Sequence, residues 1–80
     1  MWIRSQYKKY LINCKNLGIR KRLNEYVVVS MSEFGDFYTL GSYSSEEKAL
    51  KVLDEIQNRT EYLYPKAYQM PQDDEVVLWN

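Results

Sequence analysis

Tyr26-Val27-Val28-Val29-Ser30-Met31 is the stretch on which the fold turns. β-Branched side chains suit a pleated backbone, and in an extended chain Val27, Val29 and Met31 share one face while Tyr26 and Val28 share the other. Apolar groups on both faces predict a central strand. Before it, Leu17, Ile19 and Leu23 alternate with Arg20 and Arg22, the period of a half-buried strand, and Lys21 can reach water along its stem. Leu23-Asn24-Glu25-Tyr26 predicts the intervening turn, with Asn24 as the residue suited to positive φ. After the central run, Phe34-Gly35-Asp36-Phe37 predicts a tight type II′ turn flanked by aromatics that pair across strands, and Phe37 to Tyr43 is the returning strand. Trp2 to Ser5 and Tyr10 to Cys14 form an opening hairpin around Gln6 to Lys9.

Downstream the period changes. Ser44 caps a helix, Glu47 stands at the reciprocal capping-box position, and Glu46 and Glu47 favour the positive helix end. Ala49, Leu50, Leu53 and Ile56 form the apolar stripe, while Glu47 with Lys51 and Glu55 with Arg59 have i,i+4 spacing on the other side. Pro65 ends any continuation, Lys66 to Met70 suits another short strand, and Val76 to Asn80 is a strand or docking arm. Short links between consecutive strands favour antiparallel neighbours. The expected class is therefore α+β: an antiparallel β-meander of about five strands packed by one α-helix, with a short C-terminal strand or arm. Eighty residues make a single domain spanning 1–80, looser from about residue 65.

A chain this short has a core worth only about 3–5 kcal/mol net. Eight tyrosines, two tryptophans and two phenylalanines compensate, because each ring buries a large area while Tyr and Trp keep a polar end. Formal net charge is zero, yet Arg4, Lys8, Lys9, Lys15, Arg20, Lys21 and Arg22 all precede the first carboxylate, Glu25. The neutral total hides a dipole that can attract an anionic partner or a second copy.

Several chemistries lack their usual groups. There is no histidine to act as an acid or base near neutral pH. Cys14 is the single cysteine, so neither a disulfide framework nor a thiolate metal cluster is expected, and a reducing cytoplasm is the economical setting. Lys15 beside it could activate the thiol, but a strand context predicts a buried small apolar residue. Asp73, Asp74 and Glu75 read as a solvated acidic loop rather than a cation site. Gly18, Gly35 and Gly41 are isolated and make no phosphate-cradling loop. No apolar run approaches the roughly 20 residues of a membrane span. No enzyme activity, cofactor or metal is expected.

Trp2-Ile3-Arg4-Ser5-Gln6, Leu40-Gly41-Ser42-Tyr43, Ala49-Leu50-Lys51-Val52-Leu53-Asp54-Glu55-Ile56-Gln57 and Tyr68-Gln69-Met70-Pro71 together resemble a family of small uncharacterised proteins of Gram-positive bacteria and their phages. The resemblance implies a phage or mobile-element setting and transfers no activity or binding residue.

Surface chemistry concentrates in the N-terminal third. Arg4, Tyr7, Lys8, Lys9 and Tyr10 bracket one turn, and Arg20 and Arg22 line a nearby strand. The leading expectation is a non-enzymatic interaction protein, phage-associated, that binds a macromolecular partner and self-associates through an edge strand or the Val76 to Trp79 arm, with Arg20 and Arg22 set against Asp73 and Asp74 of another copy. The alternative is a module for a nucleotide or single-stranded nucleic acid, with those cations on phosphates and Tyr7 or Tyr10 stacked on bases.

Overall fold

The computed structural model describes residues 1–60 and 67–78. It has α+β architecture, with strands β1 (Trp2–Arg4), β2 (Leu11–Asn13), β3 (Asn16–Arg22), β4 (Glu25–Met31) and β5 (Phe37–Tyr43), helix α1 (Glu46–Thr60) and strand β6 (Tyr68–Gln69), followed by a 3-10 turn at Asp73–Glu75. The five expected strands are present and divided between two sheets, ordered β2-β1-β6 and β3-β4-β5. Consecutive strands pair antiparallel within each sheet, whereas β6 returns after the helix and joins β1 in parallel. Pro65 and Lys66, and the Trp79–Asn80 end of the expected arm, lie outside the described residues; Val76–Leu78 has no regular structure, with Val76 buried and Val77 and Leu78 exposed.

The turns depart from expectation in register. Arg22 pairs with Glu25, so the first loop is Leu23-Asn24, and the positive φ of 49° falls on Leu23 rather than Asn24. The second hairpin is wider than a two-residue turn. Its Ser32 N–H donates to the Asp36 carbonyl at 2.9 Å, Gly35 N–H donates to the Ser32 carbonyl at 3.2 Å, and Gly35 takes φ 85°. That is a turn followed by a left-handed glycine, the usual form of a three-residue hairpin loop. Ser32 Oγ accepts from the N–H groups of Phe34 and Asp36, and Phe34 points into solvent instead of pairing with Phe37.

Helix α1 lies over one face of β3-β4-β5, and its cap and stripe are each displaced from the expected residues. Ser45, not Ser44, is the cap: its Oγ accepts from Lys48 N–H at 3.2 Å. Lys48 thereby occupies the position that Glu47 was expected to fill in a capping box. The buried stripe is Ala49, Val52 and Ile56, with Leu53 half-buried and Leu50 44 % exposed. The i,i+4 ion pairs are absent among the described residues, because tertiary partners compete for the same groups. Lys51 Nζ donates to the Val77 carbonyl, Glu55 accepts the Tyr68 hydroxyl at 2.9 Å, and the Arg59 guanidinium sits 5.6 Å from the Tyr68 ring. Burial and the adjacent Glu55 carboxylate push the Tyr68 hydroxyl well above the ordinary phenol range.

Ile3, Val28, Leu40, Tyr43, Val52, Ile56 and Met70 fill the core between helix and sheets. Gln6 closes its edge. This 4 % exposed residue gives its backbone N–H to the Leu40 carbonyl at 2.7 Å, accepts Ser42 N–H on Oε1 at 2.9 Å, and donates from Nε2 to the carbonyls of Ser42 and Pro71, both at 3.1 Å. Its own carbonyl accepts from Gln72 Nε2 at 2.7 Å. A bulge in β5 puts Thr39 opposite Val29 and Gly41 opposite Val28, leaving Leu40 as the extra residue. Gly41 is required there, since a Cβ would stand 2.9 Å from the Tyr43 hydroxyl, which itself donates to the Pro71 carbonyl at 2.8 Å.

Asp73 ties the C-terminal turn to the helix entrance. Its carboxylate accepts from Ser44 N–H at 2.8 Å and from Lys48 Nζ at 3.4 Å, and the Ser44 bond first of all holds the carboxyl below its ordinary value.

In urea unfolding, Ile56→Ala should cost about 2–5 kcal/mol and Leu50→Ala less than about 0.5 kcal/mol; equal losses would misplace the stripe. Gln6→Leu should cost at least about 2 kcal/mol, because it removes the partners of both the amide and the carbonyl of Ser42. For Asp73 the folded pKa lies below the unfolded value near 3.8, so its stabilisation is present above that value and is lost as pH falls through the folded one. The stability gap between wild type and Asp73→Asn should accordingly be full at pH 7 and close in acid, which thermal melts at several pH values would measure.

Candidate functional site on the concave sheet face

Alternation along β4 sends Val28 beneath the helix and Val27 and Val29 to the opposite face. Among the described residues no helix covers that second face, yet Val27 and Val29 are each only 2 % exposed. Their cover comes from β3. Arg22 reaches across the central strand to Thr39 on β5, Nη2 to Oγ1 at 3.4 Å, and the Arg20 guanidinium lies 4.3 Å from the centre of the Phe37 ring. Both arginines are long enough to cross the central strand and meet side chains of β5. The result is a trough of about 350 Å3, floored by the two valines and walled by Arg20, Arg22, Phe37 and Thr39.

Charge in the trough is cationic with one counter-ion. Glu25 Oε1 lies 3.9 Å from Arg22 Nη1, and its other oxygen accepts the Ser42 hydroxyl. A guanidinium carries five N–H donors, so one distant carboxylate leaves Arg22 with donors to offer. Arg20 has a ring rather than an anion as its neighbour. A cation over an aromatic face gives a flat, polarisable ledge that suits another planar group.

The seven candidate residues separate into two sets. Arg20 and Arg22 stand together in the trough, whereas Arg4, Tyr7, Lys8, Lys9 and Tyr10 belong to the β1–β2 hairpin of the other sheet. In that hairpin Lys8 takes φ 66°, Ser5 N–H donates to the Tyr10 carbonyl at 2.8 Å, and Tyr7 and Tyr10 are both exposed. Arg4, Lys8 and Lys9 have no ion-pair partner among the described residues. Phe37 and Thr39 complete the trough and were not anticipated from sequence. A two-residue turn pairs Phe37 with Phe34; the wider loop pairs it with Met31 instead and so turns it towards Arg20.

Other reactive groups are occupied or shielded. Burial pushes the Cys14 thiol above its ordinary pKa, and Sγ donates to the Ile12 carbonyl at 3.5 Å. Asp73 is bound to Ser44 and Lys48 of its own chain. Among the described residues no three acidic, cysteine or histidine side chains gather to hold a metal ion, and no helix is long and apolar enough to cross a membrane.

No curated protein and no solved structure matches this chain. One family does, over residues 26–75, which run from β4 through β5, α1 and β6 to the 3-10 turn and so take in Val27, Val29, Phe37 and Thr39 but not Arg20 or Arg22. By that match the chain belongs to the family described as a domain of unknown function, DUF7336.

Proposed function

We infer that the chain is a non-enzymatic binding protein that holds a macromolecular partner on the concave face of β3-β4-β5. The observation that carries this reading is the pair of arginines drawn across the sheet, Arg20 onto Phe37 and Arg22 onto Thr39. Extending both over the valines makes a shaped cationic surface with an apolar floor, the combination that gives steering from charge and adhesion from buried area. The exposed β1–β2 hairpin, with Tyr7, Lys8, Lys9 and Tyr10, supplies a second contact region of the same chemical character.

A buried, protonated Cys14 supports a reducing cytoplasmic setting, and the absence of histidine supports a role without acid–base catalysis. The resemblance of the opening, β5, helix and β6 segments supports a setting in Gram-positive bacteria or their phages.

Affinity capture from the producing cell, read by both mass spectrometry and nucleotide analysis, tests the surface. Arg20→Glu with Arg22→Glu should lose the retained partner at least tenfold, while circular dichroism shows the fold intact. Equal recovery by this variant and wild type would remove the concave face from the function.

A further inference from the structure

The trough has properties that a general acidic partner would not need. Phe37 is 47 % exposed and carries the Arg20 guanidinium 4.3 Å from its ring centre, which sets aromatic surface beside a positive charge. The Arg22–Thr39 contact spans the central strand beside a depression of about 350 Å3. Arg22 has donors in excess of its one carboxylate neighbour, whose second oxygen is held by Ser42. An acidic peptide uses the cations but meets the ledge only where it carries an aromatic residue, whereas every nucleotide supplies a phosphate and a planar base together. A double helix offers phosphates while keeping its bases stacked away.

We propose that this face holds single-stranded nucleic acid, with one unstacked base laid on the Phe37–Arg20 ledge and the adjoining phosphate on Arg22. The proposal rests on the concave face being the contact surface, and it names the occupant. Stacking fits any base, because every base has a π face, so the site selects single strands over duplex rather than one sequence over another. Arg20 and Arg22 lie two apart on β3 and therefore on the same side of the sheet, which lets neighbouring base and phosphate groups be met from one strand.

Fluorescence anisotropy with labelled ten-nucleotide oligo-dT and oligo-U tests this. Saturable binding should weaken with salt at a slope of log K against log salt of roughly −0.7, the value for the one phosphate held on Arg22. Phe37→Leu should weaken binding by about 5- to 150-fold, the loss of one stacked base, while Phe37→Trp retains it. Arg20→Glu with Arg22→Glu should weaken it more than Lys8→Glu with Lys9→Glu, which changes net charge equally on the other sheet. Photo-cross-linking of bromouridine-substituted oligonucleotide to wild-type protein, mapped by mass spectrometry, should place adducts on β3 or Phe37 and needs no variant to fold.

Absence of saturable binding, equal affinity for duplex, or equal competition by a single nucleotide would each overturn the proposal. So would adducts confined to Tyr7 and Tyr10, or full competition by polyglutamate at matched charge, which would make an acidic protein the occupant. If lysate capture depends on Arg20 and Arg22 while oligonucleotides fail to bind, the contact surface stands and its nucleic-acid occupant does not.

Discussion

The Gln6 side-chain amide bonds to chain segments 36 and 65 residues away, and the rest of the architecture depends on that junction. β5 would otherwise present a bare edge at Leu40–Ser42. Gln6 meets it as a strand would, with its backbone N–H on Leu40 and its amide giving and receiving one bond each at Ser42. Glutamine is suited to this because one planar group carries both a donor and an acceptor, matching the peptide it pairs with. Gln69 adds a bond from its own amide to the Ser5 carbonyl, and Gln72 binds the Gln6 carbonyl. Two small sheets, neither with enough area to stand alone, are thereby joined by polar groups whose demands are met within the protein.

This junction gathers segments from both ends and the middle of the chain. Trp2–Gln6, Leu40–Tyr43 and Tyr68–Pro71 meet around Gln6 although they are dispersed along the chain. The opening segment lies outside the span matched by the DUF7336 family, yet it supplies the β1 and Gln6 contacts that hold β6 and the following turn in place.

The concave face follows from a different constraint. β4 is apolar on both sides and only one side receives the helix. Arginine stems reaching from β3 and a phenylalanine ring on β5 cover the remaining valines while the charged ends stay at the surface. The same covering groups give the trough its cationic and aromatic character, so the side chains that pack over the valines are also those that form the proposed contact surface.

Local rules were enough to locate the strands, the helix and the alternation of Val27, Val28 and Val29, since these depend on backbone sterics and on side-chain period. They also marked Arg20 and Arg22 as surface cations on one strand face. The turn register was less legible, because Leu23 takes the left-handed position only when cross-strand pairing requires it. Helix details shifted for a similar reason: Asp73 claims Ser44, leaving Ser45 to cap, and the sheet beneath selects Val52 over Leu50. Division into two sheets, the parallel return of β6, the separation of the basic residues and the pairing of Arg20 with Phe37 were decided by tertiary structure alone. Each is a contact between residues distant in the chain, and such contacts are set by which surfaces can be buried together, a quantity that no short window of sequence contains.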